Sequence, residues 1–338
     1  MSALKLLFRV DDGPGIGAGH LMRCLALAEA VHEQGGVIAL STVRESKLHA
    51  DWVGLDAQIY VQQREVGSTD DLTLTSRIIR EFNADWLVVD GYGFDTGWLD
   101  AISAKHPVLC LDDLGNRDAA VRLMLNQNPG AEKRYGSAYS RCSRALLGLN
   151  WFLLRREWHG VQHAPEPRRM LLTLGGEDPD NRIVGLMQAL LKDGRGFVAD
   201  VVSSASEAGF QQALFMAHGR PDCFTVHRGP VALPLLMRSA AVVVTGGGVT
   251  PIEAVSLGVV PVILILADNQ KSGAEYLAAA GVARSLEIGD CAMIEAARSA
   301  LDLLSNDVDR STMVARGRAM VDGIGPMRLV EALFKEME

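Results

Sequence analysis

The alternation of strand-like and helix-like segments is the feature that most limits what this chain can fold into. Its first instance is the apolar run 4–10, which leads into a loop with four glycines. Leu21, Leu25 and Ala28 then recur at helical spacing. Glycine lets backbone N–H groups turn toward a ligand, and the positive end of a helix attracts an anion. We therefore predict a strand, a tight loop and a helix, with His20 at the junction.

Two common phosphate-binding motifs do not fit this loop. It lacks the Gly-Lys-Ser/Thr ending of a P-loop, and its glycines at 13, 15, 17 and 19 do not have the Gly-x-Gly-x-x-Gly spacing of dinucleotide-binding proteins. Neither an ATPase nor an NAD enzyme is indicated. An ordinary glycine-rich connection, with a histidine that only caps a helix, remains the alternative.

Length and charge limit the possible classes further. A chain of 338 residues predicts two domains at roughly 100–200 residues each. The formal net charge of −8, without any cluster of Lys and Arg, argues against nucleic acid as a partner. The longest apolar run, 257–267, is about half of a membrane span. We expect a cytoplasmic protein without stable membrane association, as a monomer or small homo-oligomer.

The five cysteines are scattered and form no C-x-x-C pair, so neither a disulfide framework nor a zinc site is predicted. The predicted strands of the first half include Val37–Thr42 and 85–90, with a helix over Leu72–Phe82 between them. Asp11, Asp90 and Asp112 each follow or end a strand. Since parallel strands end at one sheet edge, all three are expected to face one crevice, unless they cap helices or turns.

The pattern breaks down at 151–169, where a linker is predicted. A fresh strand, 170–174, then runs into a glycine loop and a helix that ends near Leu191. The predicted architecture is α/β, with two Rossmann-like domains facing each other across a cleft. The predicted boundaries are 1–155 and 168–338, with the last helix as a candidate to pack back on the first domain.

The best anion site of the sequence follows the strand 242–245. Three glycines lead there into Thr250 and Pro251, and Glu253 completes a capping box with Thr250. Two roles are open for Glu253. It is only a helix cap, or it accepts hydrogen bonds from a ribose diol while the N–H groups of residues 248–250 hold phosphates.

These motifs together resemble a known family, the hydrolase of pseudaminic (nonulosonic) acid biosynthesis that releases UDP from UDP-2,4-diacetamido-2,4,6-trideoxy-β-L-altropyranose. The resemblance covers nearly the whole chain. It is carried by Phe8-Arg9-x-Asp11, Gly15-Ile16-Gly17-Ala18-Gly19-His20-x-Met22-Arg23, Asp90-x-Tyr92-Gly93, Asp112-Asp113, Gly175-Gly176 with Asp178, Thr250 with Glu253, and Ala267-Asp268-Asn269-Gln270.

The resemblance implies a GT-B fold, related to the glycosyltransferase that makes lipid II, and an enzyme that needs neither metal nor other cofactor. His20 matches the base that activates water for attack on the anomeric carbon. Residues matching the substrate-binding positions are Asp11, Gly17, Gly19, Arg23, Tyr92, Asp268, Asn269 and Gln270. Residues matching the nucleotide-binding positions are Gly176, Gly247, Gly248, Val249, Thr250 and Glu253. Glu177 and the pair Pro251-Ile252 depart from the family pattern in the donor-binding half.

Physical chemistry supports the role of His20 independently, because the positive end of a helix favours a neutral imidazole that can accept a proton. The leading hypothesis is a metal-independent hydrolase of a UDP-activated diacetamido-trideoxy sugar. The alternatives are a GT-B glycosyltransferase with a UDP-sugar donor and a non-catalytic protein that binds a sugar nucleotide.

Overall fold

The structure, a computed structural model, describes residues 3–13, 18–176, 178–229 and 231–337. It divides into two compact units. The first unit runs to Arg156 and resumes at Gly323, and the second unit is 157–322. Residues 157–167, which the sequence places in a linker, belong to the second unit, and the last helix belongs to the first unit, on which the sequence analysis has it as a candidate to pack.

The first unit contains one sheet of parallel strands. Its strands are β1 (Lys5–Val10), β2 (Val37–Thr42), β3 (Gln58–Val61), β4 (Trp86–Asp90), β5 (Val108–Leu111), β6 (Leu123–Asn126) and β7 (Arg144–Leu147). Their spatial order is β3-β2-β1-β4-β5-β6-β7. Successive side chains of a strand point to opposite faces, so Leu6 and Phe8 pack into the core on one face and Leu7 into the core on the other.

Helices cover both faces of this sheet. They are α1 (Gly19–Glu33), α2 (His49–Val53), α3 (Thr69–Phe82), α4 (Thr96–Ser103) and α5 (Ala131–Arg134), followed by 3-10 turns at Leu149–Trp151 and Arg156–Trp158. The predicted strand Val37–Thr42 is confirmed, whereas the helix predicted from Leu72 begins at Thr69. The helix begins earlier because the Ser68 hydroxyl accepts a hydrogen bond from the Asp71 N–H and caps its first turn.

The second unit repeats this plan. Its strands are β8 (Arg169–Thr173), β9 (Val198–Ser203), β10 (Phe224–Arg228), β11 (Val242–Gly246), β12 (Val260–Ile265) and β13 (Arg284–Glu287). Its helices are α6 (Arg182–Asp193), α7 (Glu207–Gly219), α8 (Leu233–Met237), α9 (Thr250–Leu257), α10 (Asp268–Ala279), α11 (Ala292–Ser305) and α12 (Asp307–Met320). All neighbouring strands are parallel, in the order β10-β9-β8-β11-β12-β13.

The last helix, α13 (Gly325–Lys335), packs on α1 within the first unit. Leu329, Val330 and Leu333 are buried there in the same core as Leu21 and Leu25. The amphipathic spacing of these apolar residues explains why the chain returns to the first unit.

Strand order reverses at one point in each sheet. The chain leaves β1 toward β2 and later resumes on the other side at β4, and β8 and β11 are related in the same way. Ligands of open α/β sheets bind beyond the carboxyl ends of the strands at such switch points. The first unit places the start of α1 and the end of β4 at its switch point, and the second unit places the loop after β8 and the start of α9 at its own.

Candidate functional site

His20 lies in the first turn of α1 with only 6% of its surface exposed. Its Nδ1 is 2.8 Å from Oδ1 of Asp90, the last residue of β4. Asp90 is paired in register with Val10, the last residue of β1, so the reversal of strand order itself brings the helix start and the carboxylate together. The end of β4 thus supplies His20, at the start of α1, with a buried carboxylate partner.

Arg23 stands one turn after His20 and binds the same carboxylate with two bonds. Its Nε donates to Asp90 Oδ2 and its Nη2 to Asp90 Oδ1, each at 2.6 Å. Burial alone would raise the pKa of the Asp90 carboxyl, but the Arg23 charge and the bonds from Arg23 and His20 hold it well below its ordinary value. Asp90 is therefore ionised at neutral pH.

The negative charge of Asp90 bears on which nitrogen of the His20 imidazole carries the proton. Asp90 Oδ1 lies 2.8 Å from Nδ1, and Arg23 Nη2 lies 2.9 Å from it. An ionised carboxylate only accepts and a guanidinium only donates, so a neutral ring satisfies one partner at a time. We assign the proton to Nδ1, because its contact with the ionised Asp90 carboxylate is the shorter of the two. In this tautomer Nε2 carries the free lone pair of a base.

Two further residues complete the cluster around His20. Asp113, beyond the end of β5, accepts a bond from Arg23 Nη1 at 2.6 Å. The Tyr92 ring packs edge-on against His20 with ring centroids 4.8 Å apart, and its hydroxyl donates to Asp113 at 3.4 Å. Burial and the Asp113 charge raise the pKa of Tyr92. His20, Asp90, Arg23, Asp113 and Tyr92 form a closed ring of contacts, which we call the His20 ring.

Asp90 is expected from the sequence to face the crevice and lies beside His20, but neither Asp90 nor Asp113 is among the binding or catalytic residues predicted from the sequence. Both stand at strand ends, which is the signal that marks them as candidates. Cys24, which follows Arg23, points its thiol at Asp90 Oδ2, 3.6 Å away. Burial and the Asp90 charge raise the pKa of this thiol well above its ordinary value, so Cys24 is a weak donor rather than a nucleophile.

Asp11, predicted from the sequence to bind substrate, lies in a buried ion-pair network in this structure. Asp11 is 4% exposed, and its Oδ2 accepts a bond from the fully buried Arg9 at 2.6 Å. Its Oδ1 accepts from the Thr42 hydroxyl at 2.8 Å and from the Val43 N–H at 2.7 Å. Arg9 is also paired with Asp71 at 3.0 Å. The carboxylate of Asp11 is therefore used within a buried ion-pair network that ties β1 to β2 and α3.

Asp112 is likewise withdrawn from the crevice in which the sequence places it. It is 1% exposed and accepts bonds from the Tyr139 hydroxyl at 3.0 Å and from the Leu114 N–H at 3.1 Å. Its neighbour Asp113 is the carboxylate that reaches Arg23. Gly19, which the sequence places in the loop as a substrate-binding residue, is the first residue of α1, and a Cβ there would meet no atom within 4 Å. Gly17 and Glu177 lie outside the described residues.

The second unit presents its glycine turn between β11 and α9. A Cβ on Gly247 would lie 2.7 Å from Gln270 Cβ, so packing within the protein requires a glycine there. A Cβ on the exposed Gly248 would meet nothing within 4 Å. Gly176, after β8, is equally open. Internal packing gives no reason for glycine at these two positions, whereas close approach of a ligand to the backbone would.

The helix start beside this turn differs from the predicted capping box. Val249 is the N-cap of α9 and Thr250 its first residue, with no side-chain capping bond at Val249. The Thr250 hydroxyl is therefore one position too late to cap the helix. Glu253, in the first turn, is buried with 4% of its surface exposed. Val249 is 51% exposed at the mouth of the turn.

The polar segment after β12 divides into two parts. Gln270 accepts bonds at Oε1 from the N–H groups of Gly247 and Leu266, each at 3.0 Å, and so joins the loops after β11 and β12. Its predicted sugar contact stays a prediction and would involve the Nε2 amide, because Oε1 already accepts these two bonds. Asp268 and Asn269 are exposed at the start of α10.

The described parts of the chain contain neither a candidate metal site nor a candidate membrane-spanning helix. No group of three or more His, Cys, Asp or Glu side chains in those parts is arranged to hold a metal ion. None of the described helices has the length and apolar character needed to cross a membrane.

The architecture defines a structural class, the GT-B fold of two parallel-sheet α/β domains, as predicted from the sequence. The structure of MurG from Acinetobacter baumannii matches with a TM-score of 0.68 at 15% identity, over 98% of this chain and 99% of that one. The spinosyn forosaminyltransferase SpnP matches with a TM-score of 0.69 at 15% identity, over 100% of both chains. At these identities the likeness establishes the fold alone.

Among curated proteins, the chain is 24% identical over 348 aligned positions to the spore coat polysaccharide biosynthesis protein SpsG of Bacillus subtilis, which covers 96% of each chain. An uncharacterized protein of Methanocaldococcus jannaschii is 20% identical over 284 positions, covering 79% of this chain and 57% of the relative. The chain thus spans little more than half the length of the archaeal protein. No protein-family model matches the chain.

Proposed function

We propose that this protein is a nucleotide-sugar-dependent enzyme that breaks the bond between the anomeric carbon and the diphosphate, and passes the glycosyl group to an oxygen nucleophile. The observation that supports this most strongly is the His20–Asp90 pair, a buried histidine oriented by an ionised carboxylate at the switch point of a GT-B-type sheet. Such a pair is suited to general base catalysis.

The chemistry balances without any further reagent. Nε2 of His20 takes the proton from the hydroxyl or water nucleophile, whose oxygen forms a bond to the anomeric carbon. The bond from that carbon to the diphosphate oxygen breaks, and the nucleoside diphosphate leaves with the electron pair. Direct displacement of this kind inverts the configuration at the anomeric carbon.

We assign the nucleotide part of the substrate to the turn between β11 and α9. The bare backbone at Gly248 and the start of α9 suit a diphosphate, since N–H groups at a helix start favour negative charge that develops on a leaving group. Glu253 is buried in the first turn of α9, and we assign to it the hydrogen bonds from a ribose diol. UDP is the proposed nucleotide, on the motif resemblance described above.

Two nucleophiles fit this site. The likeness to solved glycosyltransferases such as MurG and SpnP favours an acceptor hydroxyl on a second molecule. Water, the nucleophile of the pseudaminic acid pathway hydrolase, is the second candidate. It is favoured by the sequence motifs that carry the resemblance. The name of the Bacillus subtilis relative, which concerns polysaccharide biosynthesis, is consistent with sugar substrates in either case.

Release of UDP from a panel of UDP-sugars, including diacetamido-trideoxy sugars, tests the proposal. The purified protein is incubated with each donor, with and without candidate acceptors, and the sugar product is identified. UDP release that needs an acceptor indicates transfer, and release in buffer alone indicates hydrolysis. Binding of UDP without turnover of any donor would instead indicate a sugar-nucleotide-binding protein and would contradict the proposal.

A further inference from the structure

Arg23 uses all three of its guanidinium nitrogens within the His20 ring. Nε and Nη2 bind the two oxygens of Asp90, and Nη1 binds Asp113, all at 2.6 Å. Nη2 also lies 2.9 Å from His20 Nδ1. The guanidinium is therefore both the partner of Asp90 and a competitor for the nitrogen that Asp90 binds.

We propose that Asp113 is a positioning residue for His20: by holding Nη1 of Arg23 it keeps the guanidinium on Asp90 and leaves the histidine proton on Nδ1, so that Nε2 is free to act as the base. The assignment of catalysis to Nε2 rests on the proposed function. The effect on the position of the proton depends on the geometry of the His20 ring alone.

The arrangement of bonds explains how Asp113 acts at a distance. A planar guanidinium held at both ends has one orientation, in which Nη2 points at Asp90 Oδ1. Without Asp113, the Nη1 end loses its partner and the group is free to pivot toward His20. A bond from Nη2 to Nδ1 requires a bare Nδ1, which moves the proton to Nε2 and removes the lone pair needed for catalysis.

Charge balance acts in the same direction. Arg23 carries one positive charge, and Asp90 and Asp113 carry one negative charge each, so the cluster has a surplus negative charge beside a neutral His20. When His20 takes a proton from the nucleophile, the cluster becomes neutral. Without Asp113, the charges of Arg23 and Asp90 cancel each other, and no negative charge remains within the cluster to compensate the positive charge that forms on His20.

Tyr92 ties Asp113 to the other side of the imidazole. Its hydroxyl donates to Asp113 Oδ2 while its ring packs edge-on against His20. Within the cluster, Asp113 thus binds Arg23 and Tyr92, the two residues besides Asp90 that contact His20. Its side chain is 20% exposed, so removal of its charge leaves no deeply buried cavity.

The test reads the tautomer directly by ¹⁵N NMR of histidine-labelled protein, at a pH where the imidazole of His20 is neutral. Protonated and bare ring nitrogens have different ¹⁵N shifts. The protein has eight histidines, and the His20 signals are those missing from His20→Gln. The variants are Asp113→Asn and Asp113→Ala, with Asp113→Glu as the conservative replacement. Asp302→Asn is the matched control, since the exposed Asp302 also binds an arginine, Arg195, 2.7 Å away.

We expect the wild type and Asp302→Asn to carry the proton on Nδ1, Asp113→Asn and Asp113→Ala to move a substantial share to Nε2, and Asp113→Glu to restore it. In the active enzyme, kcat should fall roughly 10- to 100-fold in the first two variants with the donor KM nearly unchanged, as when the orienting partner of a metal-bound histidine is lost. An unchanged tautomer in both folded variants would overturn the proposal, as would a wild type protonated on Nε2. Because the NMR result needs no turnover, it stands or falls separately from the proposed activity.

Discussion

His20 Nδ1 and Asp90 Oδ1 are 2.8 Å apart, although 70 positions separate them in the chain. They meet because β1 and β4 are neighbours at the switch point of the first sheet, so that a helix start and a strand end share one place. A carboxylate kept ionised by Arg23 fixes the ring and its tautomer. This relationship converts a histidine at a helix start into a candidate base.

Asp90→Asn should abolish most turnover while leaving nucleotide affinity intact. An asparagine amide can donate to Nδ1, which favours the tautomer with the proton on Nε2, so the base is lost. We expect kcat to fall roughly 10²- to 10⁴-fold. UDP affinity measured by calorimetry should stay the same, and Asp290→Asn, at an exposed position, serves as the control. Full activity in Asp90→Asn would contradict the role of the pair.

The lowered pKa of Asp90 also predicts how stability depends on acidity. A carboxyl whose folded pKa lies below its unfolded value stabilises the fold above the unfolded pKa and loses that contribution as the pH falls toward the folded pKa. Below about pH 4, unfolding free energy should therefore fall more steeply in the wild type than in Asp90→Asn. Urea titrations between about pH 5 and pH 2.5 measure both slopes. Equal slopes would show that Asp90 is not the ionised partner of Arg23.

Asp11→Asn distinguishes Asp11, a structural carboxylate, from Asp90, the carboxylate that orients His20. It weakens the bond to the buried Arg9, and a hydrogen bond to a charged group contributes about 1.5–3 kcal/mol. The urea midpoint should fall accordingly, while kcat at a temperature where the variant is folded should change little. A large loss of kcat with unchanged stability would return Asp11 to the substrate site.

Gly248→Ala tests the proposed diphosphate turn. The added Cβ has no protein atom within 4 Å, so the fold should be unaffected while UDP affinity falls roughly tenfold or more, about 1.4 kcal/mol. Gly219→Ala, equally open at the end of α7, should change neither property. Gly247→Ala should destabilise the protein, because its Cβ would collide with Gln270. Unchanged UDP binding in Gly248→Ala would place the nucleotide elsewhere.

Periodicity and glycine spacing are local signals, and they predict two Rossmann-like domains with their switch-point loops. The GT-B class is implied by the motif resemblance. The sequence does not show which carboxylates remain free. Arg9 lies in β1 and Asp11 directly follows it, two positions further on. Alternation along an extended chain places their side chains on the same side, a signal that would have revealed their pairing. In contrast, Asp112 and Asp113 are indistinguishable by pattern, and only the turn after β5 decides which one reaches Arg23.

Gln270 illustrates the same limit in the second unit. Its oxygen bonds to a backbone N–H 23 positions away, in a loop that its own segment gives no reason to expect as a partner. The edge strands β3 and β7 escape the sequence pattern for another reason: their half-exposed residues lack the continuous apolar run that marks a buried parallel strand.

The central claim, that His20 is the base for glycosyl transfer from a nucleotide sugar, is tested most directly by His20→Ala. UDP release from the best donor of the panel should fall roughly 10²- to 10⁴-fold, and the dissociation constant for UDP should stay within about twofold of the wild-type value. Proton NMR of the wild-type product should show an inverted anomeric centre. Undiminished UDP release by His20→Ala would contradict the account.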